Sequence, residues 1–272
     1  MKKPLIILLV LSVIITMASG ISYKVVCTRY TLTSDKITDS LKLAIVADFH
    51  GCRYDRHSES IMQIISAEQP DAVLLCGDIY DDKLPFQNSD DLVGQLAEKW
   101  PVYYVSGNHE YWSKQIDSIK AKLAAYGVHV LEGTSKCVPV RKDTILIGGI
   151  DDPTYLGLDF VTHQAQNIPF STNHYSILLS HRPELTELFS SVPADLVVSG
   201  HAHGGQVRIP WLLDNGLIAP NQGLFPKYTS GIHYLTEQKA LVISRGLAKE
   251  STRVPRVFNK PEIVSVTVKS TR

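Results

Sequence analysis

The sequence has no excess of either charge: across 272 residues, 27 Lys and Arg balance 27 Asp and Glu. It also lacks a basic stripe and any interleaving of aromatic with basic residues, which argues against a nucleic-acid surface. Cysteine is scarce. Cys27, Cys52, Cys76 and Cys137 form no C-x-x-C pair and no dense framework, so neither thiolate metal ligation nor a disulfide scaffold is indicated. Cys76 closes an apolar strand pattern and reads as a small buried hydrophobe. No internal repeat or low-complexity tract is present, and the composition is that of an ordinary globular chain with ample material for a core.

One long apolar run stands out. Met1-Lys2-Lys3 precedes residues 5–21, which are broken only by Ser12, Thr16, Ser19 and Gly20. About 17 apolar residues is the lower limit for crossing a bilayer and slightly long for a secretory signal. Residues 1–22 therefore read as a transmembrane anchor or signal segment. The favoured reading is a single-pass anchor in the cell membrane. The alternative is a signal cut near Ala18 or Gly20, releasing a secreted protein; a buried core helix is the third and least suited. Lys2 and Lys3 favour a cytoplasmic N-terminus with the domain extracytoplasmic, although Lys24 and Arg29 pull against that orientation. Residues 23–40, rich in Thr, Ser and Asp, read as a spacer or an edge strand, and residues 41–272 as the domain.

From residue 41 short apolar runs alternate with helical spacing. Leu43-Ala44-Ile45-Val46-Ala47, Ala72-Val73-Leu74-Leu75-Cys76 and Val102-Tyr103-Tyr104-Val105 predict strands covered on both faces. Between them Ile61, Met62, Ile64 and Ile65, after a Ser58 cap, and then Leu92, Leu96 and Trp100 predict helices. A third helix is expected over about residues 113–126 before Gly127, followed by strands at 128–131, 137–140, 145–148, 177–179, 196–198, 241–244 and 263–268. The pattern predicts an α/β domain with a second sheet layered on the first.

Five short motifs lie where predicted strands end: Asp48-Phe49-His50, Gly77-Asp78-Ile79-Tyr80-Asp81, Gly107-Asn108-His109-Glu110, Ser180-His181-Arg182-Pro183 and Gly200-His201-Ala202-His203. In open α/β sheets ligands bind beyond the carboxyl ends of strands. Each motif alone has a plain reading: Asp48 as a loop cap, Asn108 as a turn residue, His181 as a helix cap. Together they supply the oxygen and imidazole donors that suit divalent transition metals.

In this order the motifs resemble the signature of the calcineurin-like metallophosphoesterase superfamily, D-x-H, G-D-x-x-D, G-N-H-[DE], H and G-H-x-H, over about residues 43–203. Gly204-Gly205-Gln206, Arg245-Gly246, Arg256 and Pro261-Glu262 resemble a bacterial membrane-anchored branch of it. The resemblance implies a two-sheet β-sandwich flanked by helices, with one N-terminal membrane helix, and a metallophosphoesterase catalytic domain over 41–272. It implies two divalent metal ions (Mn, Fe or Zn), one held by Asp48, His50, Asp78 and His203, the other by Asp78, Asn108, His181 and His201, with Asp78 bridging. A water shared by both would lose its proton and attack phosphorus. His109 would protonate the leaving oxygen, beside the catalytic Asn108, and Glu110 would polarise the imidazole. Asp81 is expected to support the ligands without being one.

The remaining histidines, His57, His129, His163, His174 and His233, have no partner motif and read as surface or core residues. Asp151 and Asp152 follow a strand but suit an Asp-Pro turn equally, and Arg208 and Arg256 suit structural salt bridges better than phosphate binding. The expected substrate is a phosphodiester, phosphomonoester or pyrophosphate. The apolar loop over residues 209–226 either packs against the sheet, the more ordinary reading, or walls the site, which with the N-terminal anchor would suggest a lipid-linked substrate. The rivals are a non-catalytic binding module on the same fold and a zinc hydrolase of another bond. The H-x-H-x-D-H run of metallo-lactamases is absent, and nothing in the sequence bears on oligomeric state.

Overall fold

The computed structural model describes residues 18–271. The first half of the chain runs β1 (Val26–Ser34), β2 (Ser40–Val46), helix α1 (Glu59–Glu68), β3 (Ala72–Cys76), α2 (Gln87–Lys99), β4 (Val102–Val105), α3 (Asn108–Trp112), α4 (Ile116–Ala125) and β5 (His129–Val130). The second half adds β6 (Thr134–Val140), β7 (Asp143–Gly149), α5 (Leu158–Asn167), β8 (Tyr175–Leu179), α6 (Thr186–Ser191) and β9 (Leu196–Ser199). A two-stranded ribbon, β10 (Ile218–Ala219) and β11 (Gly223–Leu224), then precedes β12 (Gly231–Thr236), β13 (Lys239–Ile243) and β14 (Glu262–Ser270).

Two six-stranded sheets result, ordered β1-β14-β2-β3-β4-β5 and β12-β13-β9-β8-β7-β6. The central strands β2, β3 and β4 run parallel, as do β7, β8, β9 and β13. Side chains alternate across each strand, and the apolar runs use both faces. Leu41, Leu43 and Ile45 of β2 pack with Ile145, Ile177, Val198 and Val242 of the other sheet in the inner core. Ala44 and Val46 face the opposite way, onto Ile61 and Ile65 of α1 and Leu92 and Leu96 of α2. Leu178, Val197 and Leu241 likewise meet Ala165, Leu188 and Phe189 on the outer side of the second sheet. The layers are helix, sheet, sheet, helix, which is why these strands show continuous rather than alternating hydrophobicity.

Several expectations change. Of the two readings of residues 23–40, the edge strand is the one formed: β1 pairs in parallel with β14 through nine residues, so the sheet begins before residue 41 and a spacer over 23–40 is not what forms. Its Thr- and Ser-rich surface hid it from a search for apolar runs. The helix expected over about 113–126 forms undivided as α4, starting at Ile116 after Lys114, whose φ of +59° separates it from α3. Ser58 does not cap α1. It has φ of +55° and no capping bond, and the Asp55 carboxylate accepts the Ser60 N–H instead, at 3.0 Å. The anchor expected over residues 1–22 falls mostly on residues 1–17, outside the described residues; among the described residues no helix is long and apolar enough to cross a membrane.

Candidate metal centre

The loops after β2, β3, β4, β8 and β9 converge at the carboxyl edge of both sheets, and each carries one of the five motifs. The ligand-type atoms of Asp48, His50, Asp78 and His203 all lie within 4.8 Å of one another, and so do those of Asp78, His181 and His201. Asp78 is the member common to both groups. All of these residues are buried, Asp48 and His50 completely.

The hydrogen bonds leave the donor atoms turned inward. His181 Nδ1 donates to the Cys76 carbonyl at 2.8 Å, and His201 Nε2 donates to Asn221 Oδ1 at 2.8 Å. Their other nitrogens, His181 Nε2 and His201 Nδ1, face each other at 3.1 Å. His50 Nδ1 donates to Asp81 Oδ2 at 3.0 Å, while its Nε2 is buried with no hydrogen-bond partner among the described residues. Asn108 Oδ1 is buried and equally unpartnered. A buried polar atom without a partner costs about 1–3 kcal/mol. Two such atoms beside two carboxylates and facing imidazoles fit divalent cations. An outer partner on the second ring nitrogen is the usual arrangement for a ligating histidine.

The backbone is strained at the same places. Asp48, His50, Asp78, His201 and His203 have φ between +48° and +67°, a region costing non-glycine residues about 1–2 kcal/mol each. Hydrogen bonds over-determine these turns: Asp48 N–H to Gly77 O (3.1 Å), His50 N–H to Asp78 O (2.9 Å), and His201 N–H to both Asp48 oxygens (2.9 and 3.1 Å). Two glycines make room for the carboxylates. A Cβ on Gly107 would collide with Asp78, and one on Gly246, itself at φ +67°, would collide with Asp48.

Electrostatics follow burial and partners. Burial alone would raise the Asp78 carboxyl, yet the imidazoles of His181, His109 and His50 hold it well below the ordinary carboxylate range. Burial would lower His181, but Asp78 and then Asp48 push it up to about 10. His201 is driven down to about 3 by burial and by the charges of His181 and Arg182.

His109 stands at the edge of the cluster, with its backbone N–H on Asp78 Oδ1 at 2.8 Å. Its Nδ1 lies 2.7 Å from Asp82 Oδ1 and 3.2 Å from Asp81 Oδ2. The partner expected for this imidazole was Glu110, and that expectation is corrected. The Glu110 carboxylate turns away, buried, and accepts the backbone N–H groups of Asp78, Ile79, Tyr80 and Gly107 at 2.8–3.1 Å. Four N–H donors aimed at one point out-compete a single ring nitrogen. Asp81 lies against His50 and His109, and the ligand-type atoms of these three also fall within 4.8 Å of one another.

Other singled-out residues have plainer places. Asp152 pairs bidentately with Arg182 at 2.7 and 3.0 Å, and Asp151 binds Ser106 and Lys120. Among the described residues Arg208 and Arg256 make no salt bridge of the expected kind: Arg208 donates to Ser230 Oγ, and fully buried Arg256 donates to the Ala248, Arg245 and Gly246 carbonyls. His57, His129, His163, His174 and His233 join none of the clusters. Three residues of the site went unread in the sequence. Asp82 was signalled only by the doubled Asp81-Asp82, Arg182 only by its place beside His181, and Asn221 by nothing local. A cavity of about 350 Å³ opens onto the cluster, lined by Asp78, Asn108, His109 and Arg182 and by the apolar Trp112, Pro220 and Val254.

A two-sheet α/β fold with carboxylate, imidazole and amide donors gathered at its strand ends defines a metallohydrolase-type protein. The profile of the calcineurin-like phosphoesterase family matches residues 41–205, and the chain belongs to that family. It is 28% identical over 254 residues to the metallophosphoesterase YkuE of Bacillus subtilis, covering 90% of this chain and 85% of that one. A metallophosphoesterase of Aquifex aeolicus is 30% identical over 253 residues, with 89% and 90% covered. The phosphodiesterase YaeI of Escherichia coli is 30% identical over 179 residues, with 62% and 63% covered.

Proposed function

We propose that this chain is a dinuclear, metal-dependent phosphodiesterase acting on an amphiphilic substrate at a membrane surface. The observation that carries the dinuclear reading is Asp78, the one carboxylate common to two adjacent donor groups. Asp48, His50, Asp78 and His203 would hold one divalent cation, and Asp78, Asn108, His181 and His201 the other. Such a pair, when bound, would supply Lewis acidity at phosphorus and would acidify a water for attack.

The protein's own groups do the rest. His109, held by Asp82 and Asp81 and reaching the cavity, is placed to give a proton to the leaving oxygen. Arg182, locked by Asp152, presents a fixed cation to a phosphate oxygen. Glu110 fixes the loop that carries Asp78. The diester is preferred among phosphoesters because the Escherichia coli relative bears the name phosphodiesterase. The amphiphilic character rests on the apolar lining of Trp112, Pro220 and Val254 and on the apolar run at residues 5–21.

The test is a substrate panel on the detergent-solubilised full chain with Mn²⁺: a monoester, a soluble diester, a glycerophospholipid and a lipid pyrophosphate side by side. The reading expects turnover of diesters, highest on the lipid. Strong preference for a soluble diester would remove the lipid. Metal-loaded protein inactive on every phosphoester would leave a binding module on this fold.

A further inference from the structure

The loop over residues 207–226 displays large apolar side chains to solvent where a loop ordinarily hides them. Trp211 is 96% exposed, Leu212 74%, Phe225 68% and Leu224 64%. The backbone is bent to do so: Trp211 and Phe225 have φ of +66° and +55°, which bulky residues rarely adopt. The Asp214 carboxylate accepts the Trp211 N–H at 3.1 Å and holds the tip. Leu212 and Phe225 line one surface hollow, which brings the two ends of the loop together, and exposed apolar surface of this kind marks an interaction site.

Its position identifies the partner. Pro210 lines one cavity with Ser19, Gly20 and Phe258. Ile21 pairs with Val257, whose carbonyl accepts the Arg208 N–H at 2.9 Å. The loop therefore borders the point where the apolar run of residues 5–21 enters the described structure. At its other end Asn221 touches His201, and Pro220 lines the metal cavity. Charge agrees: exposed Lys227 follows Phe225 closely in sequence, exposed Lys260 lines the cavity of Pro210 and exposed Arg253 that of Pro220, and Asp214 is the only acidic residue within 207–230. Tryptophan and phenylalanine beside basic side chains are the composition that seats in the headgroup and upper acyl region of an anionic bilayer.

We infer that the 207–226 loop is a membrane-docking surface that inserts Trp211, Leu212, Leu224 and Phe225 into an anionic bilayer, setting the mouth of the metal cavity against the lipid. This rests on the membrane placement proposed above but not on hydrolysis, and the test separates the two.

The full chain carrying Trp100→Phe and Trp112→Phe keeps Trp211 as its only tryptophan. It is reconstituted into phosphatidylglycerol–phosphatidylcholine vesicles, with and without brominated acyl chains. The expected result is a blue-shifted Trp211 emission that loses most of its intensity to the brominated lipid and resists aqueous iodide. A chain that does not enter the vesicle fraction overturns both the membrane placement and the docking. Emission from vesicle-bound protein that iodide quenches and bromine does not overturns the docking alone. Emission shielded from both quenchers also overturns it, and assigns the patch to a second copy or to residues 1–17. Hydrogen exchange of the unsubstituted chain on the same vesicles checks the result without relying on the tryptophan variant: amides of 209–213 and 223–226 are expected to slow relative to pure phosphatidylcholine vesicles, and unchanged rates count against the inference.

Discussion

Glu110 accepts the backbone N–H of Asp78 at 3.0 Å, so the residue after His109 anchors the aspartate at the junction of the two donor groups. The same carboxylate takes the N–H groups of Ile79, Tyr80 and Gly107. One buried side chain thereby ties the loop after β3 to the start of α3.

Glu110→Gln is expected to be almost as damaging as Glu110→Ala. An amide has one acceptor oxygen, and its NH₂ would face two N–H donors in place of the second. Leaving buried N–H groups unpaired costs about 1–3 kcal/mol each, so urea unfolding should show a loss of at least about 2 kcal/mol for both. A Gln variant as stable as the parent would contradict this geometry.

His109 is raised to about 9. Burial would lower it, but the hydrogen bond to Asp81 and the charges of Asp78, Asp81 and Asp82 outweigh that. A raised pKa means that the protonated form is present below about 9 and lost as pH rises through it. Asp82→Asn removes one of the supporting charges and moves that loss to lower pH. The kcat–pH profile should show its basic limb displaced downward, with kcat at pH 8 reduced by less than the roughly 10²–10⁴-fold that general acid–base catalysis contributes in all. An unmoved limb would dismiss Asp82 as a positioning residue. His109→Ala should keep its metal and lose turnover.

Asn221 orients His201 through Nε2. Loss of such an outer partner typically weakens metal binding about 10–100-fold, and Asn221→Ala is expected to fall in that range by calorimetric titration with Mn²⁺. Asp78→Ala should leave neither cation bound when the purified protein is assayed for metal content. Full loading of that variant would overturn the shared-ligand assignment.

Gly246→Ala should damage the site from outside the five motifs. Its Cβ would meet Asp48, and its φ of +67° disfavours any side chain. Backbone strain of this sort costs about 1–3 kcal/mol. The variant is expected to unfold at lower temperature and to bind Mn²⁺ more weakly. Parent-like behaviour in both assays would show that the loop after β13 can yield.

Thiol chemistry gives a test of the fold. Cys137 is exposed, whereas burial pushes Cys27 and Cys52 up to about 11 and Cys76 higher still. The thiolate is the nucleophile, so at pH 8 the raised groups remain protonated. Iodoacetamide should label Cys137 in the native protein and all four cysteines only after denaturation. Rapid native labelling of Cys52 would contradict its burial.

The inner strands and the five donor motifs that converge at the strand ends were legible because both are local. A strand covered on both faces must be apolar at every position, and a turn that aims Asp48 or Asp78 inward is written within three residues of a strand end. Residues whose role depends on a distant backbone were not legible. Glu110 read as a partner of adjacent His109, since nothing local announces four N–H groups from another loop. β1 reads as polar because its pairing with β14 is made by backbone atoms, which every residue carries.

The sequence by itself therefore determined the chemistry: which donors are present, that they sit at strand ends, and that an apolar segment precedes the domain. Tertiary structure decided the allocation. Only the packed loops show that Asp82 rather than Glu110 supports His109, that Asn221 orients His201, and that Gly246 leaves room for Asp48. The physical reason is that hydrogen bonds and steric exclusion act over about 3 Å in space, while the partners here are separated by up to 198 positions along the chain.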